Sequence, residues 1–182
     1  MIKAIGLVEF ISIAKGIEAA DAMLKASRVK ILDARPICPG KYIVLIWGDV
    51  SAVQSAVRAG KDTGANTVVD DFVIPNVHPS VIEAIASASK VSGLDALGVI
   101  ESFSVAALIV AADAAVKAAE VDLIEIRVGN GIGGKSFVTL TGDVGDVKSS
   151  ITVGTKSCAD KGMLVESVVI PAPHKDLTAH VL

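Results

Sequence analysis

The sequence predicts an α+β protein made of two tandem ferredoxin-like (split βαβ) domains, unpermuted. Three observations lead there. The chain repeats itself in order, from Ala4-Ile5-Gly6-Leu7-Val8-Glu9 against Ala96-Leu97-Gly98-Val99-Ile100-Glu101 to Ile74-Pro75 and His78 against Ile170-Pro171 and His174. Each copy alternates short strand-like apolar runs with stretches of helical period. The 182 residues give each copy about 90, enough for a small domain.

Taken in order, Ile5 to Phe10 reads as a buried strand, with Gly6 and Gly98 marking a close backbone approach. Ser12 is placed to cap a helix on which Ile13, Ile17, Ala20 and Leu24 share one face, the stripe an amphipathic helix turns to its core. Ser104 opens the same pattern as Val105, Ile109, Ala112 and Val116. Two strands follow near Val29–Arg35 and Tyr42–Trp47, joined by Pro36-Ile37-Cys38-Pro39-Gly40. Proline fixes φ and glycine frees it, so Pro39-Gly40 is a tight turn presenting Cys38 at its tip. Asp49 caps a second helix with Val50, Val53 and Val57 inside, matched by Asp143, Val144, Val147 and Ile151. A strand at Val68–Ile74 and a helix from Pro79 complete the first domain, residues 1–90. Residues 91–95 are the linker and 96–182 the second domain.

Composition excludes several classes. Net charge is −3 and the pI is about 5.6, so no basic surface suggests nucleic acid or an anionic membrane. The six aromatics, Phe10, Tyr42, Trp47, Phe72, Phe103 and Phe137, are too few for base stacking. Apolar residues make up 52% and mean hydropathy is +0.61, yet Val105 to Ala112 is cut off by Asp113, short of the roughly 18 residues that span a bilayer. No signal peptide is expected at the start, because Lys3 leads into a strand pattern broken at Glu9. A soluble cytoplasmic chain this apolar, with domains this small, is expected to bury more surface by assembling.

Few residues offer chemistry. Cys38 and Cys158 make no C-x-x-C pair, and no disulfide framework is indicated. Cys158 reads as structural. Cys38 alone cannot build an iron–sulfur site, which takes about four thiolates; on the residues by themselves it is a packed small hydrophobe or a ligand. Gly129-Asn130-Gly131-Ile132-Gly133-Gly134 formally matches a dinucleotide fingerprint, but Ser136-Phe137-Val138-Thr139-Leu140 continues as a strand where a helix is required. It stands where the first copy has its cysteine turn, and reads as a flexible loop. His78 and His174 recur as helix caps, Asp49 and Asp143 likewise, and Asp70-Asp71 as a solvated strand end. No nucleophile–base or paired-acid constellation recurs, so an enzyme is not expected.

Several of these stretches together resemble the bacterial microcompartment shell proteins in their tandem-domain form. The motifs are Gly6-Leu7-Val8-Glu9, Glu18-Ala19-Ala20-Asp21-Ala22-Met23-Leu24-Lys25, Gly48-Asp49-Val50-Ser51-Ala52-Val53 and the closing Ile-Pro-x-x-His, each with its second-copy counterpart. Ser12-Ile13-Ala14-Lys15-Gly16, Ile37-Cys38-Pro39-Gly40-Lys41 and His78-Pro79-Ser80-Val81 point within that family to the T-type branch of propanediol-utilisation compartments. The resemblance implies a homotrimer imitating a hexamer, packed edge to edge with other shell proteins around sequestered enzymes. It implies a central pore lined by Ile37, Cys38, Pro39 and Gly40 with Gly131, Ile132, Gly133 and Gly134, and shell-edge packing at Lys25 and Lys117. It also implies a [4Fe–4S] cluster at the three-fold axis, held by one Cys38 per subunit. Such a cluster passes electrons across the shell or is itself transported, with an encapsulated or cytosolic redox enzyme as partner. Many relatives carry arginine after the closing Ile-Pro; Asn76 and Ala172 stand here, so that part of tile packing is expected to differ. The alternatives are a metabolite-conducting shell pore without a cluster, or a ferredoxin-like ligand-binding regulator.

Overall fold

The computed structural model describes residues 3–129 and 131–182; Met1, Ile2 and Asn130, the last within the glycine-rich loop, lie outside the described residues. The first copy runs β1 (Ala4–Phe10), α1 (Ile13–Ala26), β2 (Val29–Ile37), β3 (Lys41–Gly48), α2 (Val50–Gly64), β4 (Val68–Pro75) and α3 (Pro79–Ile85). The second repeats it as β5 (Ala96–Ser102), α4 (Val105–Ala118), β6 (Val121–Val128), β7 (Ser136–Gly142), α5 (Val144–Asp160), β8 (Leu164–Ile170) and α6 (Lys175–Val181). The strand orders are β2-β3-β1-β4 and β6-β7-β5-β8, antiparallel throughout, as a split βαβ unit requires. Even the irregularities recur. The register shifts between Ile31 and Asp33 and again between Leu123 and Glu125, and the Glu9/Phe10 shift returns at Glu101/Ser102.

The chain forms two compact units: residues 3–77 with the Gly129–Gly134 loop, and His78–Val128 with Lys135–Leu182. In the first unit, central β1 buries all seven of its residues. Its Ala4, Val8 and Phe10 pack with Val44 and Ile46 of β3 beneath Ala19, Ala20 and Met23 of α1 and Val53, Ala56 and Val57 of α2. Each large side chain withdrawn from water here contributes about 1.5–3 kcal/mol. Gly6 permits the fit: a Cβ there would lie 2.6 Å from Val57 Cγ2 and 2.7 Å from Val53 Cγ1. At Gly98 the same atom would meet Leu140 at 2.8 Å and Ile151 at 2.9 Å, so both glycines do mark close approaches.

The caps are largely those expected. Ser12 Oγ accepts the Lys15 N–H at 3.3 Å and Ser104 Oγ the Ala107 N–H at 3.0 Å. His78 Nδ1 accepts from the Ser80 N–H at 3.4 Å and His174 Nδ1 from the Asp176 N–H at 3.2 Å. Asp49 and Asp143 hold the N-cap positions of α2 and α5 without a side-chain cap bond. Asp49 turns instead to Lys3, 2.9 Å away, and its hydrogen bond raises the Lys3 ammonium above the ordinary lysine range.

Three expectations are corrected. On α1 the buried face is Gly16, Ala19, Ala20 and Met23, while Ile13, Ile17 and Leu24 are exposed, Ile17 at 55%. The small residues win the sheet because they let the helix come close: a Cβ on Gly16 would sit 2.5 Å from Tyr42 Cδ1. In α4 the predicted stripe of Val105, Ile109, Ala112 and Val116 is buried. Val144, at the first turn of α5, is exposed rather than inside. Asp70 and Asp71 lie half-buried within β4, with Asp71 paired to Lys61 at 2.7 Å, and are not a solvated strand end.

The close approach at Gly6 gives a test. Gly6→Ala should lower the urea midpoint by an amount equivalent to about 1–3 kcal/mol, as overpacking does. Gly145→Ala, where an added Cβ meets open space, should not lower it at the same protein concentration. Equal behaviour of the two variants would contradict the packing described.

Candidate functional site: the Cys38 turn and the glycine-rich loop

β2 ends at Ile37, and the chain reverses through Cys38, Pro39 and Gly40 before β3 begins at Lys41. The Gly40 N–H donates to the Ile37 carbonyl at 3.0 Å, the Cys38–Pro39 peptide is cis, and Gly40 has φ +85°. This is a turn with proline at its third position. The Gly129–Gly134 loop lies against it in the same unit. The Cys38 N–H donates to the Gly129 carbonyl at 2.7 Å, and the Gly131 N–H donates to Cys38 Sγ at 3.4 Å.

Two glycines of that loop are required by the contact. Gly129 has φ +61°, and a Cβ on it would lie 2.8 Å from Ile37 Cβ. Gly134 has φ +81°, and a Cβ on it would lie 2.5 Å from Pro39 Cδ. A side chain at either place would be strained in its backbone and would push the loops apart. Pro39, Gly40, Gly131 and Gly133 are exposed, Cys38 and Ile132 half-buried, and Ile37 and Gly134 buried.

The base of each loop is tied to the central strand of its sheet. Lys41 Nζ reaches Glu9 Oε1 at 2.7 Å, with the Glu9 side chain 0% exposed; Lys135 Nζ reaches Glu101 Oε1 at 2.6 Å in a more open setting. Sequence reasoning missed this pair of anchors. The signal was present, since a glutamate inside an apolar strand and a lysine just after the loop both recur in the repeat.

The remaining predicted residues lie elsewhere. Lys25 and Lys117 end α1 and α4, where cations suit the helix dipole, and pair with Asp21 and Asp113, each at 2.6 Å. Cys158 is buried in α5, and neither cysteine is in a disulfide. Among the described residues no three His, Cys, Asp or Glu side chains gather as metal ligands within one chain. Nor, among those residues, is any helix long and apolar enough to cross a membrane.

The two sheets with their repeated helices, and the loops they present, define a class. The BMC-domain family model matches residues 4–77 and 96–173, each stretch starting at the first strand of its copy. The chain therefore belongs to the BMC-domain shell proteins of bacterial microcompartments, with the domain twice in tandem and unpermuted. Among individual proteins, it is 46% identical over 177 residues to the bacterial microcompartment shell protein PduT of Citrobacter freundii, covering 97% of this chain and 96% of that one. It is 61% identical to a microcompartment protein of Desulfitobacterium hafniense known from a crystal structure, with a TM-score of 0.88 over 98% of this chain and 99% of the other. A carboxysome shell protein of Synechococcus elongatus is 43% identical over 82 residues, 43% of this chain and 80% of that one. The protein's place is accordingly the microcompartment shell, and the relatives named as shell components are structural proteins.

The buried anchor should dominate the energetics of the first loop. Lys41→Met leaves the Glu9 carboxylate without its ammonium in a dry site and should cost on the order of 3 kcal/mol in urea unfolding. Lys135→Met, beside the more exposed Glu101, should cost clearly less. Glu9→Gln in the Lys41→Met background should recover part of the loss; failure to recover any would mean that charge burial is not the cause.

Proposed function

We propose that three copies of the chain form a shell tile in which six domains surround an axis, with the Cys38 turns and the Gly129–Gly134 loops lining a central pore. The three Cys38 thiolates hold a [4Fe–4S] cluster there, one from each subunit, with the fourth iron position not filled by cysteine. The observation that carries this reading is the Gly131 N–H on Cys38 Sγ at 3.4 Å. Backbone donors to sulfur tune the potential of a cluster bound through it. A half-buried thiol at the tip of a turn stiffened by Pro36 and Pro39 also suits a ligand better than a core residue.

The donor set fits the group only across copies. One chain brings one thiol, and a three-fold axis turns it into three. Gly129 and Gly134 hold the second loop against the first, so that in each subunit the sulfur keeps a donor beside it. When bound, the cluster supplies one-electron transfer, which at a pore would carry electrons across the shell to or from a redox enzyme. Other shell proteins would meet the tile at its rim, at Lys25 and Lys117, without the arginines that Asn76 and Ala172 replace.

Protein purified without oxygen should show broad visible absorption and contain iron and sulfide. Cys38→Ser should be colourless and keep its native mass. A coloured Cys38→Ser protein would remove the ligand assignment, and a wild-type protein with neither iron nor sulfide would leave a simple pore.

A further inference from the structure

At the end of each sheet remote from its loop the chain places charge, and the two copies place opposite signs there. In the first unit Lys3 precedes β1, Arg28 precedes β2, and Lys30 is the second residue of β2, in register with Trp47 of β3. With Gly48 and Asp49 these residues line one shallow depression. Lys30 Nζ lies 5.4 Å from the centroid of the Trp47 ring, a cation–π contact that steadies the ammonium at the surface. All three cations are exposed. Among the described residues only Lys3 has an acidic partner, Asp49 at 2.9 Å.

The second unit has the same backbone and the other sign. Asp95 precedes β5, Glu120 precedes β6, and Asp122 is the second residue of β6, in register with Thr141 of β7. The corners match in detail: a Cβ on Gly48 would lie 3.2 Å from the Arg28 carbonyl, and one on Gly142 2.9 Å from the Glu120 carbonyl. Asp95, Glu120, Asp122 and the nearby Asp143 are exposed, and none has a cationic partner among the described residues. Three positions thus invert together, Lys3 to Asp95, Arg28 to Glu120 and Lys30 to Asp122. The helix-end pairs beside them, Asp21 with Lys25 and Asp113 with Lys117, keep their signs. A corner that is merely solvated asks only for charge of either sign. A set that inverts while its neighbours do not is the arrangement of two surfaces that complement each other.

We propose that the basic corner at Lys3, Arg28 and Lys30 docks on the acidic corner at Asp95, Glu120 and Asp122 of a second copy of this chain in a neighbouring tile, and that this pairing sets how tiles are turned in a layer. The inference rests on the tile proposed above. With the Cys38 turns at its axis, the start of β2 points away from that axis. The strand has nine residues, and the strand rise carries its start roughly 25 Å outward. The corners therefore stand at the rim. Six domains in a ring alternate basic and acidic corners, so opposite sides of a tile are unlike. Tiles laid side by side in one orientation bring basic to acidic at every shared edge. A tile turned by one domain brings like to like. Attraction in the first setting and repulsion in the second select a layer in which all tiles are turned the same way.

Layer formation by the purified protein tests this, followed by light scattering and electron microscopy at low ionic strength, where exposed charges are least screened. Averaged images of wild-type layers should show every tile in one orientation. Arg28→Glu/Lys30→Glu makes both kinds of corner acidic, and Glu120→Arg/Asp122→Lys makes both basic. Each variant should keep the wild-type native mass and need at least about tenfold more protein to form layers, because like charges then meet at every edge. The chain carrying all four changes should form layers again, since its signs are exchanged rather than lost. Layers from either two-site variant at the wild-type concentration, or no recovery with all four changes, would overturn the docking and leave the tile standing. So would wild-type tiles of three chains that form no layer. Wild-type protein that sediments as a single chain would remove the tile and the docking together.

Discussion

A carboxylate with no exposure to water needs a cation beside it, and in the first unit this need fixes where the Cys38 turn begins. Glu9 sits at the end of β1, the strand paired on both sides, and Lys41 is the first residue of β3. Their 2.7 Å contact joins the most buried strand of the sheet to the base of the Cys38 turn. Separating them would take the Lys41 ammonium from a carboxylate that water does not reach, so the turn is held to the core by more than its two strand ends. From that base the Gly40 N–H closes the turn, the Cys38 N–H binds the Gly129 carbonyl, and the Gly131 N–H comes to rest on the sulfur.

Duplication supplies the frame, and in the proposed tile the asymmetry supplies the function. The two copies share strand order, register shifts, serine and histidine caps, helix-ending lysines and loop-base anchors. They differ where chemistry is placed. The first copy offers a cysteine on a proline-stiffened turn; the second offers four glycines of positive φ, of which Gly129 and Gly134, lacking a Cβ, can approach Ile37 and Pro39. In the proposed tile, two identical loops would bring twice as many thiols to the axis, or none.

Much of this was legible in the sequence because the signals are local. The apolar run around Gly6, Ser12 as a cap and the prolines flanking Cys38 each state a backbone preference that the fold respects. What failed to read correctly depended on partners far along the chain or outside it. Ile13, Ile17 and Leu24 form a true helical stripe, but period alone does not say which of two apolar faces meets the sheet, and Gly16, Ala19 and Met23 pack closer. Asp49 had the position of a cap, and Lys3, remote in sequence, took its carboxylate. Asp70 and Asp71 looked like a solvated end because charges usually lie there, whereas Lys61 on the neighbouring helix gives Asp71 a partner within the sheet. The Glu9–Lys41 anchor went unread because its members are separated by the first helix and the whole of β2.

The account turns on how many chains share one site. Native mass spectrometry of protein prepared and sprayed without oxygen addresses this directly, because it counts chains and cluster in the same ion. Three chains carrying a single [4Fe–4S] cluster is the predicted species, collapsing to three bare chains when Cys38 is replaced. A single chain or a dimer bearing a cluster, or three chains bearing three, would contradict it.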